Sequence, residues 1–499
     1  MLLLAHVAAA QFTQQGSKLV GTGAVGPTTW QGNSVAISAD GNTAIVGGPG
    51  DSLDAGAAWV FTRSGQVWSQ QGSKMVGTGA AGTAQQGWSV AISGDGNTAI
   101  VGGPTDDYDA DDSAFVGAAW VYTRSGGAWT QQGSKLVGTD AVGAAQQGVS
   151  VAISADGNTA IVGGEGDNSF AGAAWVYTRS GGAWTQQGNK LVGWDAVGDA
   201  RQGWSVAISA DGNTAIVGGY QDDFNAGAAW VYTRSGGVWT QQGNKLVGTG
   251  AIGAAQQGYS VAISADGNTG IVGGDAENFN AGAAWVYTRS AGVWSQQGGN
   301  LVGTGAAATA QQGWSVAISG DGSAAIVGGP TDNSFAGASW VFTRSGGVWT
   351  QQGNKLVGSG GAGAQGTSVA ISADGNTAIV GGPTDYWAGA AWVFVANACT
   401  PPAITSEPQS LTAPNGEIVM LSVTATGTAP LSFQWYQGES GDTSMPVVGG
   451  NAASIALTAG RTATASFWVR VTDACGSADS VTATIAVMQM VRRHLHRAT

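Results

Sequence analysis

Histidine and cysteine are nearly missing: the 499 residues hold three His and two Cys. Imidazole or thiolate metal centres and Ser–His or Cys–His catalytic pairs therefore have almost nothing to be built from. Neither residue occurs between positions 11 and 396. Charge is scarce too, at 10% of residues against roughly 25% in an average soluble chain. The formal charge of −13 arises because 18 bases face 31 acids. No basic stripe exists for a nucleic-acid backbone. No apolar run reaches the ~18 residues of a spanning helix, so no membrane span is expected. Proline totals 11 and glycine does not recur every third residue, which excludes collagen. With 43% apolar residues and 21 Trp the chain can fill a core, which argues against disorder. What is abundant is glycine, 85 residues of it, the composition of a turn-rich β protein that binds or scaffolds.

Internal repetition sets the architecture. Asp-Gly pairs begin at Asp40, Asp95, Asp156, Asp211, Asp266, Asp321 and Asp374, spaced 55, 61, 55, 55, 55 and 53. A Trp-Val pair follows each, at Trp59, Trp120, Trp175, Trp230, Trp285, Trp340 and Trp392. A period of roughly 40–60 without helical patterning predicts propeller blades. In the second unit the strands read 89–93, 98–102, 118–124 and 129–137, joined by Asp-Gly and Gly-Gly turns that reach positive φ cheaply. The third strand is apolar on both faces, as in blades stacked face to face. The seventh unit has no fourth strand after Trp392, whereas residues 11–20 match the fourth strand at 129–137 and precede the first unit. The expected fold class is all-β: a seven-bladed β-propeller whose N-terminal strand closes the last blade, plus a small β-sandwich. The expected segments are a leader or partial signal at 1–10, the propeller at 11–396, a linker at 397–402, the sandwich at 403–488 and a basic tail at 489–499.

Gln86-Gly87-Trp88-Ser89-Val90-Ala91-Ile92, then Gly102-Gly103-Pro104 and Ala119-Trp120-Val121-Tyr122, resembles the FG-GAP repeat family. That family builds the seven-bladed propeller of integrin α chains and of many bacterial surface or secreted proteins. The resemblance covers roughly residues 11–396 and implies adhesion or ligand binding outside the cytoplasm. Two departures stand out. The family's Phe is replaced by Gln31, Gln86, Gln147, Gln202, Gln257, Gln312 and Gln365. Its Gly-Ala-Pro reads Gly-Gly-Pro at Pro49, Pro104, Pro330 and Pro383 and is lost at Glu165, Tyr220 and Asp275.

Residues 403–488 are rich in Thr, Val and Ser, with strands at 421–425, 432–436 and 467–471. A Trp on a central strand followed by an aromatic-rich strand resembles an immunoglobulin-like sandwich. Its usual inter-sheet Cys pair is absent; Cys399 and Cys475 flank the domain instead. A bridge between them is expected, with two free thiols the alternative, and an oxidised pair belongs to an extracytoplasmic compartment.

Chemistry was sought first at the Asp-Gly turns, which in integrin-type relatives are calcium loops. Around Asp95-Gly96 the acidic positions of such a loop are Ala91, Ser93, Thr98 and Ala99. One carboxylate does not make a calcium site of six to eight oxygens, so no metal or other cofactor is expected. The turn also approaches the Asp box of sialidase-like propellers, but the Arg cluster of those enzymes has no counterpart: within residues 11–396 Arg and Lys recur at two repeat positions, Arg201 excepted. The chain is therefore expected not to be an enzyme, a glycan-processing hydrolase being the least favoured reading. The loop between strands two and three varies in every copy, and its acids and aromatics are the candidate ligand contacts: Asp106, Asp107, Tyr108, Asp109, Tyr220, Asp222, Asp223, Phe224, Asp332, Phe335, Asp385, Tyr386 and Trp387. This loop and the link from strand four to the next blade, which carries Trp30, Trp194, Asp195 and Asp199, are predicted to share one rim. Variable loops on a rigid scaffold suit recognition of a protein or a glycan; a surface-layer spacer without a ligand is the alternative.

Overall fold

The computed structural model describes residues 12–109, 114–361, 363–396, 401–427, 431–460, 464–473 and 476–488. The leader, the basic tail, Cys399 and Cys475 lie outside the described residues. Two compact units emerge, Phe12–Ala396 and the residues beyond it.

The first unit consists of seven four-stranded antiparallel sheets. The first is built from β2 (Ser34–Ile37), β3 (Thr43–Gly48), β4 (Ala57–Ser64) and β5 (Val67–Gln70), paired in chain order. Five more repeat it. The seventh takes three strands from 368–396 and its fourth from β1 (Phe12–Gln14), with Phe12 opposite Ala396 and Gln14 opposite Phe394. Leu19 then bridges Ala391. The inner strands touch one another in an unbroken cycle of seven. At their turns the backbone closes a second cycle: Ala39 N donates to Gly94 O, and Gly94, Ala155, Ala210, Ala265 and Gly320 each donate to the next. Ala373 N returns to Ala39 O at 3.0 Å. A ring of hydrogen bonds that ends where it began ties all seven blades into one closed circle. The arrangement is that of a seven-bladed β-propeller.

Repeated residues explain the repeated geometry. Strand two is buried throughout and strand three over its first five residues, and the third-strand Trp of each blade is fully buried. A glycine of the preceding link lies flat on that indole: a Cβ on Gly77 would sit 2.2 Å from the Trp120 ring. The glutamines at the Phe position are buried clamps. Gln86 Oε1 accepts from Gly77 N, and its Nε2 donates to Gly77 O at 3.1 Å, so one amide satisfies both backbone groups of the link. Arg63 lies over Trp68 at 5.4 Å, and both donate to Gln15 Oε1 of the neighbouring blade. The periodic Arg residues thus fasten blade to blade.

The Asp-Gly turns are self-contained. Asp40 accepts from the Ser38 hydroxyl, from Asn42 N at 2.9 Å and from Asn42 Nδ2 at 3.0 Å. Partial burial works against its charge, but these donors, with Arg63 nearby, more than offset it and hold the carboxyl below its ordinary pKa. The carboxylate belongs to its own turn.

The second unit, described by itself, pairs Leu411–Ala413, Ala483–Val487, Ala465–Asp473 and Ser432–Gln437 in that order, with Gly476–Asp479 added to the long strand. Ile418–Ser422 pairs with Ser454–Thr458, and Ala403–Ser406 with Thr424–Thr426. Leu421 and Ile455 of the short ladder meet Trp435, Val469 and Ile485 of the larger sheet in one core. The single strand expected at 421–425 is divided, because Ser422 ends one ladder and Thr424 starts another.

Candidate functional site

The loop between strands two and three and the link between blades do share a rim, tied by backbone bonds such as Gln85 N to Asp54 O at 2.9 Å and Ser52 N to Val25 O at 2.8 Å. Its acids fall into two groups. Asp106, Asp222, Asp332 and Asp385, expected on display, are buried. Each is ion-paired with one of the periodic lysines: Lys135, Lys245, Lys355 and Lys18. Asp51 and Asp167 do the same with Lys74 and Lys190. The second oxygen of Asp222 accepts from Val197 N at 2.7 Å, so the carboxylate ties the link before its blade to the lysine after it. Asp195 is likewise occupied, accepting from Trp230 Nε1, Gln241 Nε2 and Lys245 N. These acids hold the rim in shape.

The exposed group stands on top. Asp107 and Asp223 face solvent. Phe224 is 90% and Phe279 85% exposed, and Leu53, Phe335, Tyr386, Trp387 and Trp194 are also open. Tyr108 and Asp109 form a short ladder with Ala114–Phe115. Six blades set these side chains on a left-handed turn: Leu53, Phe170, Phe224, Phe279, Phe335 and Trp387 have φ between 57° and 67°. Each L-residue held there costs roughly 1–2 kcal/mol, and such strain gathers where function demands a particular display. A cavity of about 300 Å³ beside Phe224 is lined by Val197, Asp199, Gln221 and Asn225.

A third cluster breaks the sevenfold pattern. Where four blades have Pro after Gly-Gly, blades three to five carry Glu165, Tyr220 and Asp275. Tyr220 joins rings that the sequence reading missed. Trp204 packs on Tyr220 and Tyr259 at 5.1 and 5.3 Å, and Tyr259 on Trp314 at 4.8 Å. Their signal was present in the motif Gln-Gly-x-Ser-Val, whose variable position reads Asn33, Trp88, Val149, Trp204, Tyr259, Trp314 and Thr367. Glu165 accepts from Arg201 Nη1 at 2.8 Å, and that guanidinium lies over Phe170 at 4.3 Å. Burial raises the Glu165 pKa despite the arginine.

Asp275 is the outlier. It is 4% exposed, its Oδ2 accepts from the Gln311 amide at 3.3 Å, and its buried Oδ1 has no hydrogen-bond partner among the described residues. Burial pushes its pKa up to about 7, with backbone N–H groups offsetting little. A folded-state value above the ordinary 3.8 means that protonation favours the fold. That stability is complete below about pH 4 and is lost as pH rises through 7, to a limit of roughly 4 kcal/mol. Denaturant titrations from pH 4 to 8 are expected to show this fall in the parent. In Asp275→Asn only the smaller slope from Glu165 should persist.

The FG-GAP repeat family matches residues 184–232, which run from the last strand of the third blade through the third strand of the fourth. An FG-GAP repeat is present. No curated protein matches the chain. Among solved structures, a chimeric titin Z1Z2 carrying a KLER peptide from decorin is similar at 18% identity and TM-score 0.16, over 18% of this chain and 98% of that one. Titin M4 is similar at 16% and 0.15, over 18% and 100%. The GH74 xyloglucanase from Xanthomonas campestris is similar at 13% and 0.39, over 83% and 59%. Likenesses this faint say nothing of ligand or activity. The matched segment supplies the first three strands of the fourth blade and contains Tyr220, Asp222, Asp223 and Phe224.

Proposed function

We propose that the chain is an extracytoplasmic, non-enzymatic binding or adhesion protein, in which the propeller rim takes a protein or glycan ligand and an immunoglobulin-like domain follows. The FG-GAP repeat and the propeller fold fit that role. The observation that carries it is the crown of exposed Leu and aromatic side chains, each on a left-handed turn, standing above a ring of ion-paired acids. Six loops with five different turn sequences keep one strained backbone. A solvated loop under no demand would relax into a cheaper conformation or recruit glycine. Among the described residues of the propeller the exposed aromatic side chains gather on one rim, the mark of an interaction surface.

Replacing Leu53, Phe224 and Phe279 together by Gly separates display from folding, because Gly accepts positive φ without strain. The triple variant is expected to match the parent's unfolding free energy to within ~1 kcal/mol per site. It should lose capture on a glycan array or on cells by at least tenfold. Capture unchanged in the variant, or none by the parent, rejects the reading in favour of a spacer.

A further inference from the structure

The repeat supplies its own control for Asp275. The residue after Gly-Gly in one blade faces a residue of the next link: Glu165 meets Arg201, and Asp275 meets Gln311. In blade three an acid therefore has a cation, and in blade five an acid of the same repeat position has only a neutral amide. The consequence is the unpartnered Oδ1. Its charge acts on electron-rich rings, those of Tyr220 and Tyr259. Tyr259, raised in pKa first by burial and next by the Asp275 charge, touches Tyr220, Trp204 and Trp314. Counting Glu165, Arg201 and Asp275, the cluster carries one net negative charge when all three are ionised.

An uncompensated carboxylate among stacked aromatic rings is complementary to one kind of group, a monocation with an apolar skin. A hydrated inorganic cation would find too few oxygens, whereas an alkylammonium is drawn both to ring faces and to the carboxylate. A neutral sugar could stack on the rings but would leave the charge unanswered. We propose that Trp204, Tyr220, Tyr259, Trp314 and Asp275 form a binding site for an organic ammonium group, supplying in trans the cation that Arg201 supplies to Glu165 in cis. A lysine side chain and a quaternary headgroup share this chemistry. The site is distinct from the crown of left-handed turns, so the two proposals fail separately.

The test uses the full chain at pH 8 and constant ionic strength. Tryptophan fluorescence and calorimetry follow titration with n-butylammonium and with choline, alongside their neutral isosteres 1-butanol and 3,3-dimethylbutanol. At least one cation is expected to saturate, binding at least tenfold more tightly than its isostere. Preference for n-butylammonium points to lysine as the source, and preference for choline points to a headgroup. Asp275→Asn should weaken the cation at least tenfold without changing the isostere. In the parent the cation's affinity should fall as pH drops from 8 to 6. The proposal is overturned if neither cation saturates, if isosteres bind equally well, if Asp275→Asn binds like the parent, or if glucose or xylose competes as well as the cation. Should Asp275→Asn fail to fold, the comparison of cation with isostere on the parent decides alone.

Discussion

Deleting residues 1–20 should leave a chain that cannot close its ring. The segment 12–20 is small, but four kinds of contact depend on it. β1 covers the edge of Ala390–Ala396, and an uncovered edge invites pairing with another chain. Phe12 and Leu19 are buried, and losing such side chains costs roughly 3–5 kcal/mol each once the vacated space is included. Gln15 accepts from Trp68 and Arg63 across the seam. Without Lys18, Asp385 becomes a buried charge with no cation, a further penalty of about 3–5 kcal/mol. The total rivals the whole stability of a typical domain, about 5–15 kcal/mol. The truncated chain should therefore elute as dimers and aggregates, lose its cooperative transition, and regain it when a peptide of residues 12–20 is added. Phe12→Asp should lower stability without abolishing the fold. A monomeric, cooperatively folding truncation would show that the ring does not depend on its seam.

This seam was legible in the sequence; the rim chemistry was not. Residues 11–20 copy 129–137 nearly letter for letter, and a blade missing one strand at each end of the chain has one economical completion. Asp-Gly and Trp-Val pairs betray the period because only certain residues reach positive φ or fill the space between blades. The division of rim acids depends instead on pairs such as Asp222 with Lys245, 23 residues apart, both of which look like surface residues on a linear reading. One clue was available. Where the lysine is replaced by Asn300, the acid lengthens to Glu277, the only blade whose sequence changes both. Variable loop sequences also concealed a common left-handed backbone, since Leu53, Phe224 and Trp387 are not residues whose chemistry announces positive φ. Asp275 was visible as a departure from Gly-Gly-Pro, but its missing cation is evident only against the Glu165–Arg201 pair.

Breaking one rim ion pair should separate architecture from recognition most sharply. Asp222 is buried and Lys245 mostly so. Lys245→Ala leaves a carboxylate in the rim with only the Val197 N–H, an expected loss of about 3–5 kcal/mol. Asp222→Ala strands a cation that can still extend toward water, as lysine stems do, and should cost less. The double change to Asp222→Leu and Lys245→Met removes both charges while keeping volume. It should recover most of the loss, since a buried pair is often no more stabilising than the apolar residues replacing it. The cycle, measured by chemical denaturation, should yield a coupling well above the roughly 0–1 kcal/mol of an exposed pair. A coupling near zero would mean that these carboxylates are open to solvent and available to a ligand after all. The same logic governs charge changes on the rim: Asp107→Asn, which removes only a half-exposed acid 3.7 Å from Lys135, and Asp223→Lys should leave folding intact, whereas Asp106→Lys and Asp222→Lys place a cation against a mostly buried lysine and should unfold the blade. Only the first pair can report on a ligand, because only there does a change in capture arrive without a change in the scaffold that presents it.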